Sequence, residues 1–290
     1  MFTKTGLCFA KLISLLPMNV LFLLADMIYF IFNRIYAYRK RVIDINLIHA
    51  FPHKKSEELW FIRSNYYRHL ADFIAETIKS ISISEKELRR RMQLHHESYH
   101  MLKKYEKTGQ HIFVVLGHYG NWEWASLLAG IETGLPSSAL YLQPGNKTFE
   151  QFLVKNRSRF GCNLVAMNQV KTLYSSLQKD PVLVAFVADQ TPVDIDNAYW
   201  TKFMHIQTPF FKGFDTLARK TNAIVLYLSI QKLNRGYYEL LFQPITENAQ
   251  EEKENGIAEK FVRLLEADII HKPEYWLWSH RRWKRAGITY

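Results

Sequence analysis

His118 and Glu123 are the side chains whose types and spacing most directly suggest chemistry. They lie in the segment HIFVVLGHYGNWEW, residues 111–124, where an apolar run ends at Gly117. A histidine accepts a proton near neutral pH, and a carboxylate bonded to one ring nitrogen leaves the other nitrogen available as a base. We therefore interpret His118 as a candidate general base and Glu123 as the residue that orients it.

The pair can meet only if His118 precedes a helix, because residues five apart on one helix lie about 140° apart around its axis. Gly117 and Gly120 permit a tight turn, and Asn121 is a favourable N-cap. Glu123 would then lie in the first helical turn, where the exposed amides suit an oxyanion or a phosphate. The alternative is a core histidine bonded inside a turn, with Glu123 only completing a helix N-terminus.

Other common chemistries lack their motifs in this sequence. There is no G-x-S-x-G, G-x-x-x-x-G-K-[ST], G-x-G-x-x-G or H-E-x-x-H. Cys8 and Cys162 form no C-x-x-C pattern, which supports neither a disulfide framework nor a zinc ribbon and favours a reducing compartment. His95, His96 and His100 show no recognisable ligand spacing. We expect no metal and no cofactor, and insensitivity to chelators would exclude a metallohydrolase.

The net charge of +11 indicates either an acidic partner or simply a soluble basic surface. Nucleic acid, an anionic membrane and a phosphorylated substrate would all match this charge. A basic nucleic-acid-binding protein would explain the charge and the aromatic residues, but it would leave the apolar N-terminus unexplained. The hydrophobic content of 48% excludes a disordered chain.

The elements that must position these residues alternate from about residue 94 onward. Apolar, β-branched runs predict strands, and the stretches between them predict helices. The predicted strands are 112–116, 138–142, 163–167, 182–188 and 223–230, with 235–243 as an antiparallel partner of the last. The predicted helices are 42–51, 56–81, 98–107, 121–133, 147–160, 170–179, 209–221 and 250–271. The fold class is therefore α/β, a mainly parallel sheet flanked by helices.

Residues 7–35 are the most apolar part of the chain. A transmembrane helix needs about 20 uninterrupted apolar residues, and here Asp26 lies in the middle of the cleanest piece, 20–32. A basic cluster follows that suits anionic headgroups, and its members are Arg34, Arg39, Lys40 and Arg41. This pattern predicts a membrane anchor that lies in the interface or spans marginally. A buried amphipathic helix pair is the alternative.

Two regions are expected in the chain. Residues 1–41 would form the membrane-associating segment with its basic flank, and residues 42–290 would form one catalytic domain. No small-residue cleavage site follows the apolar segment, so a secretory signal peptide is not indicated.

The block GHYGNWEW resembles the G-H-[FY]-G-N-W-E motif of the bacterial late acyltransferases of lipid A biosynthesis, a family within the glycerolipid acyltransferase group with its H-x-x-x-x-[DE] motif. The resemblance continues in the family's order over most of the chain, through NR at 156–157, ADQ at 188–190, TPFFKG and LARKTNA at 208–223, and PEYWLWSHRRWKR at 273–285. One departure is Phe203-Met204-His205, where relatives commonly carry a glycine, and it affects the expected substrate contacts of that loop.

The resemblance implies transfer of an acyl chain from acyl-carrier protein or acyl-coenzyme A to a hydroxyl of a phosphorylated glucosamine lipid. The reaction would take place at the inner membrane of a Gram-negative cell, on its cytoplasmic side. It would need no metal, no covalent acyl-enzyme and no nucleic acid. Another glycolipid or a lysophospholipid is the alternative acceptor.

The resemblance also implies site residues. His118 would be the base with Glu123 as its orienter, and the 42–290 region would be the acyltransferase domain. The substrate-binding candidates are Gly117, Asn121, Arg157, Asp189 and Gln190. Arg157 matches the family's arginine and would hold an anionic group of a substrate, since a guanidinium suits phosphate. The alternatives are a solvated helix residue for Arg157 and a loop cap for Asp189.

The C-terminal segment places Trp276, Trp278 and Trp283 beside several cations. Tryptophan with arginine and lysine at this density is typical of a contact with membrane headgroups. An aromatic strap that closes the core is the alternative.

Overall fold

A computed structural model describes residues 4–169, 173, 177 and 180–290. In this part of the chain the helices are α1 (Lys4–Ser14), α2 (Met18–Phe30), α3 (Lys40–Ala50), α4 (Ser56–Lys79), α5 (Glu85–Arg91), α6 (His96–Glu106), α7 (Trp122–Glu132), α8 (Lys147–Arg157), α9 (Gly213–Thr221) and α10 (Gly256–His271). The strands are β1 (Met92–Leu94), β2 (Ile112–Leu116), β3 (Ser137–Tyr141), β4 (Asn163–Ala166), β5 (Leu183–Val187), β6 (Tyr199–Phe203), β7 (Ile206–Phe210), β8 (Ile224–Asn234) and β9 (Tyr237–Thr246). A π-helical turn, Ile31–Ile35, extends α2.

Seven strands form one sheet in the order β1-β9-β8-β2-β5-β3-β4, and β6 and β7 form a separate hairpin. Neighbouring strands of the large sheet are parallel in every pair except β8 and β9, which are antiparallel. The predicted α/β class with a mainly parallel sheet is therefore confirmed. The antiparallel partner predicted at 235–243 is observed as β9.

Two helix predictions differ from the structure, and one falls outside it. The predicted helix 209–221 begins only at Gly213, because the residues before it pair with β6 as strand β7. The predicted helix 250–271 begins at Gly256. The predicted helix 170–179 lies outside the described residues, except at positions 173 and 177.

The β6–β7 hairpin turns at Met204 and His205, whose φ angles are 48° and 69°. A two-residue hairpin loop of this kind needs left-handed backbone at both positions, which glycine or asparagine adopts most easily. The Met204 side chain is buried, and its amide donates to Glu266 Oε1 at 2.5 Å. Burial and hydrogen bonding thus offset the backbone strain in this loop.

The sheet has a packed layer on each face. Side chains alternate along a strand, so Phe113 and Val115 of β2 pack in one layer, and Val114 and Leu116 pack in the other with Trp124 of α7. Every residue of β2 is buried. The loop that carries the candidate base therefore begins at the centre of the core.

Asp215 joins α9 to α10 on one face of the sheet. Its fully buried carboxylate accepts hydrogen bonds from the amides of Ile257 and Ala258 at 3.0 and 3.1 Å and from Arg219 Nε at 3.1 Å. The N-cap residue of α10 is Asn255, whose side chain makes no capping bond. A carboxylate from another helix therefore caps α10 and balances its dipole.

We predict that Asp215→Ala lowers the free energy of unfolding by about 3 kcal/mol, because two buried amides lose their acceptor. Chemical denaturation of the purified protein measures the loss. Asp194→Ala is the matched control, since Asp194 also accepts from two backbone amides but is exposed, so water replaces it. Equal losses in the two variants would contradict the prediction.

Candidate active site

The candidate base meets its partner because β2 and β5 are parallel neighbours. Leu116 pairs with Val187 in the register of these strands, and His118 and Asp189 each follow two residues later. His118 Nδ1 lies 2.6 Å from Asp189 Oδ1. The ionised carboxylate accepts this bond, so Nδ1 carries the proton and Nε2 is the basic nitrogen. Nε2 lies 3.1 Å from Gln190 Nε2.

Asp189 is buried, and its second oxygen accepts from Trp276 Nε1 at 2.8 Å. Burial alone would raise the pKa of Asp189, but the charge of His118 and hydrogen bonds from His118 and Trp276 lower it from 3.8 to about 2. A carboxyl with a depressed pKa stabilises the fold above pH 3.8 and loses this effect as the pH falls through about 2. Asp189 therefore stays ionised throughout the pH range of an ordinary assay.

The structure corrects the expected role of Glu123. Its carboxylate makes a bidentate pair with Arg157, in which Nε donates to Oε2 at 2.8 Å and Nη2 donates to Oε1. The first turn of α7 directs Glu123 toward the end of α8, which carries Arg157. The carboxylate bonded to His118 is instead that of Asp189, a residue expected among the substrate-binding candidates. Arg157 is partly buried in this pair, which argues against a freely solvated helix residue.

The turn between β2 and α7 has little freedom. Gly120 has φ +62°, and a Cβ there would lie 2.7 Å from Ile230 Cγ2 and 2.9 Å from the Ile230 carbonyl oxygen. The amide of Gly120 donates to the carbonyl of Tyr275 at 3.1 Å, and the amide of Leu277 donates to the carbonyl of His118 at 3.1 Å. Two backbone hydrogen bonds with the C-terminal segment thus hold the turn on both sides.

Asn121 is the N-cap of α7, as the sequence predicts. Its Oδ1 accepts from the Trp124 amide at 2.9 Å, and its Nδ2 donates to Glu76 Oε2 at 2.7 Å. Because Asn121 is fully buried and bonded at both ends, the structure gives it a positioning role. Gly117 lies against Leu265, whose Cδ1 would be 2.6 Å from an added Cβ. Neither residue lines the apolar cavity that adjoins the site, so the structure does not support the substrate contacts expected of them.

Glu76 is a residue that the sequence analysis missed. It is fully buried on α4, and its Oε2 also accepts from the Tyr238 hydroxyl at 2.7 Å, while its carbonyl accepts from Trp124 Nε1 at 2.9 Å. Burial raises its pKa to about 7. The available signal was the pair Asp72 and Glu76, two acidic residues one helical turn apart within the helix predicted at 56–81.

A large, mostly apolar cavity adjoins the site, with a volume of about 1280 Å³. His118, Glu123, Arg157 and Gln190 line it together with Lys212. Its apolar lining includes Val114, Leu116, Leu128, Leu228, Leu240 and Phe242. These residues belong to the layer between α7 and the sheet, so the cavity extends from the polar groups beneath α7. It offers an apolar chain a path away from the candidate base.

The C-terminal tryptophans do not face a membrane. Trp276, Trp278 and Trp283 are all buried, and Trp276 forms an isolated antiparallel bridge with Tyr119. The expectation of an interfacial contact at these residues is wrong, and the alternative of an aromatic strap is correct. The cause is the hydrogen bonding of their indole groups to Asp189, to the Pro273 carbonyl and to Thr208.

Metal-binding groups can be assessed only over residues 4–169, 173, 177 and 180–290. In this part of the chain, no three histidine, cysteine, aspartate or glutamate side chains come together in a way that could hold a metal ion. His96 and His100 approach each other, with their Nε2 atoms 3.0 Å apart on the exposed side of α6.

A parallel α/β sheet that presents a carboxylate-bound histidine at a large apolar cavity defines an enzyme suited to acyl transfer, since the histidine activates a hydroxyl and the cavity accepts a hydrocarbon chain. The chain belongs to the bacterial lipid A biosynthesis acyltransferase family, whose model matches residues 2–285. The protein is therefore an acyltransferase, as the resemblance predicts.

Two curated relatives support this assignment. A lipid A biosynthesis palmitoleoyltransferase from Escherichia coli (strain K12) is 24% identical over 251 residues, which cover 86% of this chain and 80% of the relative. A lipid A biosynthesis acyltransferase from Shigella flexneri shows the same identity and coverage.

We predict that Asp189→Asn lowers the rate of acyl transfer at least about a hundredfold while the protein stays folded. Asparagine keeps the shape of the side chain but lacks the charge that stabilises a protonated His118. Steady-state rates measured beside circular dichroism spectra test this expectation. The control is Asp196→Asn on the following exposed loop, which should retain activity. A folded Asp189→Asn enzyme within about threefold of wild type would rule out this pairing as part of the mechanism.

Proposed function

We propose that this protein is a membrane-associated O-acyltransferase that moves a fatty acyl chain from acyl-carrier protein or acyl-coenzyme A to a hydroxyl of a lipid A precursor. The family match supports the reaction class. The observation that carries the proposal is His118, bonded to buried Asp189 and lining an apolar cavity. In this arrangement, His118 can activate a hydroxyl acceptor for attack on a thioester, and the apolar cavity can hold the hydrocarbon chain of the donor.

In the proposed mechanism, His118 Nε2 removes the proton from the acceptor hydroxyl as its oxygen attacks the thioester carbonyl. The tetrahedral intermediate then collapses, the C–S bond breaks, and the proton passes from His118 to the leaving thiolate. The charge of Asp189 stabilises the histidinium between these steps. In the free enzyme, the Gln190 side-chain amide contacts His118 Nε2. When the acceptor hydroxyl takes the place of this amide at Nε2, the amide can donate a hydrogen bond to a substrate oxygen.

Glu123 and Arg157 have a separate role in this proposal. The carboxylate fixes the plane of the guanidinium, whose fork geometry suits a phosphate. A bidentate pair uses two of the five N–H donors of an arginine. We therefore assign Arg157 to an anionic group of the acceptor or donor and Glu123 to positioning it. Lys212 and Lys220, which also line the cavity, add positive charge around the same space.

The acceptor and the donor are tested together by lipid mass spectrometry. Detergent-purified protein is offered acyl-carrier protein and coenzyme A thioesters with a panel of acceptors that includes a lipid A precursor, another glycolipid and a lysophospholipid. We expect acylation of the lipid A precursor and at least about a hundredfold loss in folded His118→Ala.

The matched control for that experiment is His100→Ala, which removes an exposed histidine on α6. It should retain wild-type turnover. Acylation only of the lysophospholipid would replace the proposed acceptor. Near-normal turnover by His118→Ala would remove the proposed base.

We further propose that residues 1–41 attach the protein to the inner membrane and that the 42–290 domain lies on the cytoplasmic side. The helical segment Met18–Ile35 is long and apolar enough to cross a bilayer, and 22% of it is buried in the protein. The exposed cation Arg34 lies in its last turn, and the exposed cation Arg39 follows it. Apolar area together with positive charge gives stable attachment to an anionic surface.

We predict that about 1 M salt does not release the protein from membranes, because screening at this ionic strength acts on the charges and leaves the apolar contact intact. Sedimentation of washed membranes measures this. The double variant Leu23→Lys with Met27→Lys changes only exposed side chains, and it should move protein to the soluble fraction. Release of wild type by salt alone would show that charge alone holds it.

A further inference from the structure

Asp26, in the middle of the apolar helix α2, is part of an ion-pair network with the catalytic domain. Arg235, in the turn between β8 and β9, donates from Nη2 to Asp26 Oδ1 at 2.8 Å and from Nε to Asp72 Oδ1 at 2.8 Å. The same Nη2 also donates to the carbonyl of Phe22 at 3.1 Å. The charge that interrupts the apolar segment is therefore neutralised by the domain itself.

Apolar packing holds the same side of α2 against the domain. Met18, Leu21, Phe22 and Ala25 are buried on this side. The ring of Phe22 fits so closely against Gly236 that a Cβ there would lie 2.7 Å from Phe22 Cζ. This side of α2 has no room for lipid.

The helix lies along α4 in the opposite direction. At one end, Lys79 Nζ donates to the carbonyl of Leu16 at 3.1 Å, and at the other end the Tyr29 hydroxyl lies 3.0 Å from Ser64 Oγ. The guanidinium of Arg68 lies over the Tyr29 ring, 4.3 Å from its centre. Contacts with α4 therefore extend along the whole length of α2.

The opposite side of α2 is apolar and exposed. Leu23, Met27 and Ile31 lie at intervals of four residues and are 66%, 62% and 40% exposed. Beside the C-terminal end of α2, one turn before Ser64, Trp60 and Phe61 of α4 are 48% and 59% exposed. Apolar area thus continues from α2 onto α4.

We propose that α1 and α2 form an interfacial element: α2 lies along the surface of an anionic bilayer with its Leu23, Met27 and Ile31 edge in lipid, does not cross the bilayer, and Trp60 and Phe61 touch the same surface. This rests on the proposed membrane attachment. A crossing helix is surrounded by lipid, so it would have to leave Arg235 and carry Asp26 into hydrocarbon without a partner. A docked helix keeps the ion pair and needs lipid on one side only.

Positive charge on the same region identifies the occupant as a bilayer surface with anionic headgroups. Arg34, Arg39, Lys40 and Arg41 are all exposed and follow the apolar edge directly. Cations beside an exposed apolar strip, with tryptophan at its margin, match the charge and polarity of the headgroup layer.

The depth of single labels in the bilayer tests this proposal. In the full chain with Cys8→Ser, which leaves only the buried Cys162, a fluorophore is attached at Leu23→Cys, Met27→Cys, Ile31→Cys or Phe61→Cys in turn. Each protein is reconstituted into vesicles of phosphatidylethanolamine and phosphatidylglycerol. Lipids that carry quenchers at different depths then report how deep each label lies.

We expect the three α2 labels to lie at one shallow depth, within about 3 Å, and the Phe61→Cys label to be quenched at a similar level. A crossing helix would instead change the depth by about 6 Å at each step, since four residues rise 1.5 Å each, and this result would overturn the proposal. Labels that lipid does not quench, together with disulfide formation between two copies of Leu23→Cys, would also overturn it and identify a second copy as the occupant.

Trp200→Cys is the matched control, because Trp200 is a partly exposed aromatic residue on β6, in the hairpin that is separate from the large sheet. We expect no quenching by lipid at this position. The depth measurement is independent of turnover. A protein with the expected depths but without acylation of the lipid A precursor would contradict the proposed reaction alone.

Discussion

The parallel pairing of β2 with β5 is the constraint on which the site depends. Two strands in register deliver His118 and Asp189 at the same distance past their ends. No loop conformation has to bring them together, because the hydrogen-bond ladder does so. A shift of one residue in this register would turn every side chain of β5 to the other face and separate the pair. In open α/β sheets, sites form at the carboxyl ends of parallel strands. In this protein the reason is that the register of β2 and β5 brings the residues that follow the two strands together.

The spacing of His118 and Glu123 suggests that one carboxylate serves the site, but the structure has two carboxylates with different partners. Asp189 is buried, ionised and bonded to both His118 and Trp276. Glu123 is paired with Arg157 on the cavity side. One carboxylate sets the tautomer of a base, and the other fixes the plane of a cation. Because each carboxylate has its own hydrogen-bonding partner, neither must be shared when a charged substrate enters.

Local patterns in the sequence predicted the local elements well. The helix N-cap at Asn121, the mainly parallel sheet and the positions of β2, β3, β4, β5, β8 and β9 follow from periodicity and capping within a few neighbouring residues, whereas β1, β6 and β7 were not predicted. Strand order was not predictable in this way, because the partner of β2 lies some seventy positions along the chain. The spacing of five residues therefore favoured Glu123 over Asp189 as the partner of His118.

Burial explains the other differences between expectation and structure. The C-terminal tryptophans match a headgroup contact in composition, but each indole has an acceptor inside the protein. Glu76 lies within the helix predicted at 56–81, to which the sequence analysis assigns no chemistry, and its partners Asn121 and Tyr238 come from distant segments. The helix predicted at 209–221 failed at its start because a hairpin with two left-handed residues precedes it. Each of these features depends on contacts between segments that are far apart in the chain.

Helix α4 carries both networks on consecutive turns. Asp72 joins it to Arg235 and through it to α2, and Glu76 joins it to Asn121 and the start of α7. The two carboxylates are four residues apart, so about 6 Å of helix connects the contact with α2 to the contact with the β2–α7 turn. On the proposed function, α4 is bonded to both α2 and the turn that carries His118, so the position of His118 relative to the lipid surface is fixed. An acceptor would then be chosen partly by how far its hydroxyl projects from the bilayer, a property of headgroup size rather than of any single hydrogen bond.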